Sequence, residues 1–187
     1  MDRVRGISHR LAAALLAGSV AIVLNTVALK AADLVPLATA RGGLLRLITP
    51  WLSLPLERLG IASLWSTLGG PAPNTPVFQT GFHLFVGILM ALFYAFILEP
   101  RLPGGAWLKG LIYAAAVWIL NAAFVLPATG EGFAGSAHLS LAGMIWFAAA
   151  HTLFFLILAF SFAKAMRAPP VVAPAGLSRR ARGPERL

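Results

Sequence analysis

The sequence predicts an all-α polytopic membrane protein, a four-transmembrane-helix bundle with an interfacial helical segment between helices 1 and 2. Three observations predict it. Four apolar runs each reach the roughly 20 residues an α-helix needs to cross a bilayer. Only 11% of the 187 residues are charged while 59% are hydrophobic, whereas a soluble domain carries about 25% charge. Clusters of Pro and Gly separate the runs and supply the turns. A single membrane domain is therefore expected over 1–167, followed by a disordered, basic, cytoplasmic tail over 168–187.

The first helix is expected at 11–29, after the basic start MDRVRGISHR. A signal peptide has the same layout, but its apolar region is usually 7–15 residues long and ends in a small-x-small cleavage pattern. No clean pattern of that kind stands near Lys30–Ala31, so a retained helix is expected. Ala14, Gly18, Ala21 and Asn25 share one of its faces, a seam of small residues suited to close packing. Residues 31–76 are broken by Pro50 and Pro55 and carry Arg41, Arg46 and Arg58 among leucines, with Trp51 and Trp65. That composition suggests short helices lying at the membrane surface. A re-entrant hairpin is the alternative, and its broken backbone would need protein cover.

The segment GGPAPNTP turns the chain into the second helix, 77–98. His83, Gly87, Met90 and Tyr94 fall on one of its faces, with Ala91 beside them. Trp107 opens the third helix, 107–126, at an interfacial position. Gly110, Ala114, Val117 and Asn121 share a face there, and Pro127 is expected to stop it. A glycine-rich loop leads to the fourth helix, 139–165, which runs out at Lys164 and Arg167.

Lysine and arginine set the expected orientation. With both termini in the cytoplasm, the inner side holds Arg3, Arg5, Arg10, Arg101, Lys109, Lys164, Arg167, Arg179, Arg180, Arg182 and Arg186, and the outer side Lys30, Arg41, Arg46 and Arg58. Eleven against four is a positive-inside bias, so both termini are expected in the cytoplasm. The net charge of +9 is accounted for by topology and by anionic lipid at the basic ends, so no nucleic-acid partner is expected. Without cysteine there are no disulfides and no thiolate metal sites.

Each helix carries one strongly polar internal residue: Asn25, His83, Asn121 and His151. Such residues are uncommon in membrane helices and mark either a site or a helix-bridging hydrogen bond. Counting the rise from the helix ends puts Asn25, His83 and Asn121 roughly 6–9 Å in, and His151 about 18 Å in. The first three are expected to form one polar cluster, with His138 in the loop near the same level. The roughly 10 Å difference in level argues against haem held between His83 and His151. Glu99, at a helix end, is expected to pair with Arg101 or Lys109. The acidic residues are scattered, and no metalloprotease, P-loop or dinucleotide motif occurs, so no catalytic residues, metal or cofactor are expected and the chain does not read as an enzyme.

The succession FHLFVGILMALFYAF, EPRLPGGAWLKGLIYAAAVWILN, LPATGEGFAG and AAAHTLFFLILAF resembles small four-helix bacterial inner-membrane proteins of the YagU-like kind, over about half of the chain. The resemblance implies topology and adds no catalytic residues. From the residues, the first expectation is an accessory subunit that packs against other membrane subunits or its own copies through Gly18, Ala21, Gly87, Ala91, Gly110 and Ala114. A small oligomeric transporter or channel with an outward polar vestibule is the alternative, and a haem- or metal-binding redox accessory the weaker one.

Overall fold

A computed structural model describes residues 2–35, 37–38 and 43–168; Arg41 and the expected tail over 169–187 lie outside the described residues. The chain is all-α, with no strand among the described residues. Helix α1 spans Asp2–Ala31 and is followed by a 3-10 turn, Ala32–Leu34. Helices α2 (Gly43–Arg58) and α3 (Ile61–Thr67) come next. Helix α4 (Pro76–Phe93) continues into a π-turn, Tyr94–Leu98. Helix α5 (Ala106–Leu120) runs through a second π-turn, Asn121–Val125, into the single turn α6, Leu126–Ala128. A 3-10 turn, Phe133–Gly135, precedes α7, Leu141–Arg167. Four stretches are long and apolar enough to cross a membrane: Gly6–Ala31, Pro76–Leu98, Ala106–Ala128 and Leu141–Arg167.

In a bilayer the outside of a helix is as apolar as its inside, so close packing, not water exclusion, chooses which faces meet. Size decides here. Helix α1 lies between α4 and α7, and its buried residues (Ala13, Ala14, Ala17, Gly18, Ala21, Ile22 and Asn25) recur every three or four positions. The pairing with α4 is so close that a methyl added at Gly18 would stand 2.6 Å from Ala91 Cβ, and one at Gly87 2.5 Å from Ile22 Cγ1. On the other flank α5 packs on α7, where a Cβ at Gly110 would meet the Phe155 carbonyl oxygen at 2.9 Å and Ala159 Cβ at 3.1 Å. Ala21, Ala91 and Ala114 are buried in the same core.

One end of the bundle is tied by charge. Arg10 on α1 pairs with Glu99 and donates through Nε to the Ala95 carbonyl at 2.7 Å. Lys109 on α5 reaches Glu99 Oε1 at 3.0 Å and the Glu99 carbonyl at 2.7 Å. Burial raises the Glu99 carboxyl's pKa, but the hydrogen bonds from Lys109 and Arg10 outweigh that and hold it below the usual carboxylate value. Beneath the ion pairs the Tyr94 and Tyr113 rings stack at 6.1 Å, Tyr113 meets Phe155 at 4.4 Å, and Tyr94 meets Phe162 edge-on at 5.8 Å. Helices α4 and α5 are thus joined at the Glu99 end, beside their connecting turn.

The structure corrects several expectations. Helix α1 starts at Asp2 rather than at residue 11, because the basic segment is itself helical and Arg10 is docked on Glu99. Pro50 and Pro55 do not interrupt α2, which runs through both. Helix α2 buries no residue, so the Arg46 and Trp51 carbonyls that lose their helical donors can be served from outside. Pro127 does not stop the third span. It stands in the first turn of α6, where its missing N–H is not needed. Arg101 does not pair with Glu99; its guanidinium donates to the Ile97 carbonyl at 2.6 Å.

Candidate functional site

Away from the Glu99 end, α4 and α5 diverge and leave a cavity of about 340 Å³ between them. The faces of α1 and α7 form its back, and Gly43, Leu44 and Leu45 of α2 border it. The deep wall is apolar, with Met90, Val117, Phe154 and Phe155, and Lys30 and Thr80 stand toward the other end. Asn25, His83, Asn121 and His151 all line this one space.

Asn25 is the organising residue. It is 1% exposed, the one buried polar residue among those described. Its Nδ2 donates to the Ala150 carbonyl on α7 at 2.8 Å, and its Oδ1 lies 3.0 Å from His83 Nε2 on α4. A carbonyl can only accept, so Nδ2 must face Ala150 and Oδ1 must face the histidine. His83 Nε2 is therefore the donor. One carboxamide thereby links three helices at one level. Gly87, one turn along α4, lets Ile22 of α1 lie against its backbone and brings Asn25 within reach of His83.

His151 is not a level apart from the others, contrary to the count of residues from the helix ends. Asn25 bonds Ala150, the residue beside it, and Trp146 Nε1 donates to the Ala28 carbonyl of α1 at 2.9 Å. Ala150 is nine residues into α7, while Asn25 is six from the end of α1. Helix α7 thus starts about 5 Å beyond the end of α1, given the helical rise. The helices share no common starting plane, so equal counts do not mean equal depth. The argument from level against a haem between His83 and His151 falls with it. His151 Nδ1 donates to the Phe147 carbonyl at 2.8 Å, and its ring packs on Phe147 at 4.2 Å.

Asn121 shares the cavity but makes no hydrogen bond to Asn25 or His83. It opens the π-turn, and five residues on Leu126 lines the same cavity. His138 is not part of the site. It is 64% exposed and pairs through Nδ1 with Glu131 Oε2 at 2.8 Å. Glu131 also binds the Arg46 guanidinium and so anchors α2 to the loop after α6. Among the described residues, no three His, Asp or Glu side chains come close enough to hold a metal ion.

Met90 and Val117 stand on the faces already expected to carry His83 and Asn121, but Phe154 and Phe155 look like any core residue and were missed. The small-residue faces are used inside the chain: Gly18, Gly87 and Ala91 lie between α1 and α4, Gly110 lies against α7, and Ala21 and Ala114 are buried in the core. Compared with protein-family models, curated proteins and solved structures, the chain matches none.

Proposed function

We propose that this chain is a multi-pass membrane protein that takes up a small, largely apolar molecule in the cavity between α4 and α5, and that it acts as a binding or carrier protein without catalysis. The observation that carries this is one cavity of about 340 Å³ lined together by Asn25, His83, Asn121 and His151, one from each membrane span. Ligand sites are typically about 300–1,000 Å³, mostly apolar, with a few converging polar groups. Intramembrane polar residues are costly unless they satisfy one another or serve a ligand. Here Asn25 and His83 satisfy each other, and Asn121 has no partner among the described residues.

The cavity lies away from the start of α1 and the end of α7. With the positive-inside bias and the topology that the YagU-like resemblance implies, the proposal places the termini in the cytoplasm and the cavity in the outer half of a bacterial inner membrane. The accessory-subunit reading keeps one support: no residue of α2 or α3 is buried, and Trp51 is 78% exposed. The small-residue faces no longer support it, being occupied within the chain.

Native mass spectrometry of the chain from membranes, set beside a Val117→Phe variant whose ring fills the cavity, tests the proposal. A bound small molecule in the wild type that is lost from the folded variant is expected. A chain that carries nothing, or a molecule that stays in the filled variant, refutes it.

A further inference from the structure

We infer that the molecule held in this cavity is uncharged and presents a hydrogen-bond donor, a hydroxyl or phenol on an apolar body; the inference rests on the binding reading above. A neutral imidazole has one donor and one acceptor nitrogen. His83 spends its donor on Asn25 Oδ1, and His151 spends its donor on the Phe147 carbonyl. What remains on each ring is an acceptor, His83 Nδ1 and His151 Nε2. Asn121 adds a carboxamide with no protein partner among the described residues.

These leftover atoms reach open space. His83, Asn121 and His151 are partly accessible residues, and no buried side-chain nitrogen or oxygen among the described residues lacks a partner. An unbonded ring nitrogen on such a residue therefore borders space that a probe can enter. All three residues line the same cavity, and Asn121 and His151 also line a small adjoining pocket, so the acceptors available to a bound molecule are on these residues. The cavity's one deep donor is the Asn121 amide.

A charged group has no partner in the deep part of the cavity, where the ring acceptors would repel an anion. Among the described residues no Asp or Glu borders the cavity, and Lys30 stands toward the end away from Phe155. A cation would meet Lys30 with no counter-charge beyond, and burying an unpaired ion costs far more than a hydrogen bond returns. A ketone or an ether would set its lone pairs against the two ring nitrogens. A hydroxyl donates its hydrogen to one of them and can accept from the Asn121 amide.

The test is a matched pair of probes, 1-naphthol and 1-methoxynaphthalene, which differ by the donor hydrogen. Binding is measured calorimetrically to the protein in lipid nanodiscs, with empty nanodiscs subtracted. A buried acceptor left unpaired costs about 1–3 kcal/mol, so naphthol should bind at least about tenfold more tightly. In a His151→Phe, Asn121→Leu double variant, which leaves His83 Nδ1 as the one ring acceptor, that preference should fall severalfold. Equal binding of the two probes to the wild type overturns the inference and leaves the cavity reading standing. A preference unchanged in the double variant also overturns it, because the donor is then read elsewhere. If neither probe binds, the cavity reading fails and the inference with it.

Discussion

The contact between Gly18 and Ala91 predicts that their two substitutions compensate each other. A Cβ on Gly18 stands 2.6 Å from Ala91 Cβ and 3.3 Å from Ile88 Cδ1. Carbon atoms pack best at about 3.5–4.0 Å, so Gly18→Ala forces α1 and α4 apart by about 1 Å. Overpacking of that size costs about 1–3 kcal/mol, against which the better helix propensity of alanine returns up to about 1 kcal/mol. A net loss of about 1–2 kcal/mol is expected. Ala91→Gly leaves a methyl-sized void and a glycine inside a helix, again about 1–2 kcal/mol. In the swapped pair, Gly18→Ala with Ala91→Gly, the propensity terms cancel and the methyl sits on the other helix of the same contact. Only the flexible end of Ile88 must give way. The swap should therefore cost under about 1 kcal/mol, which is a coupling of roughly 2 kcal/mol, well inside the range that contacting residues show. Reversible unfolding of the four proteins in mixed micelles measures the cycle. Costs that simply add, with coupling under about 0.5 kcal/mol, refute this register between α1 and α4.

Two further expectations follow from charge. Burial raises the Glu131 carboxyl's pKa, but the hydrogen bonds from Arg46 and His138 outweigh it and hold the group below its ordinary 4.5. A depressed value means the anchoring of α2 is fully present above about pH 4.5 and is lost as pH falls through the lowered folded value. Hydrogen exchange along α2 should accelerate over that acidic window, and in Glu131→Gln it should be fast at neutral pH and flat with acid; an unchanged acid slope would count against the pairing. For orientation, reporter fusions at Ala168 and Gly132 should report cytoplasm and periplasm respectively, and either result reversed overturns the proposed topology.

Much of the bundle was legible in the sequence, for reasons particular to membranes. Run length alone places a span, because backbone in hydrocarbon must close its own hydrogen bonds. The seam residues were legible because Ala14, Gly18 and Ala21 return at helical spacing, and close approach needs small side chains. The link between Asn25 and His83 followed from cost, since lone polar groups in hydrocarbon seek each other. The cavity was hidden. It arises from the divergence of α4 and α5 rather than from any residue type. Val117, Asn121 and Leu126 share its wall at spacings of four and then five, because a π-turn intervenes, and an α-helical count rotates Leu126 away. His151 was misplaced for a related reason: its level depends on where α7 begins relative to α1, and the loop between Thr129 and Ser140 sets that offset.

The junction at Glu99 makes α4 and α5 a pair of tongs. Their pivot is the Tyr94–Tyr113 stack, and the arms run from it past the cavity toward Pro76 and Ala128. The arm from Tyr94 to Pro76 is 18 residues, about 27 Å at the helical rise, so a swing of about 5° carries its tip by a little over 2 Å. The same swing moves Met90, close to the pivot, by about half an ångström. The mouth of the space and its floor thus differ severalfold in mechanical advantage. A displacement of the arms would therefore be felt at the mouth well before it reached the aromatic floor.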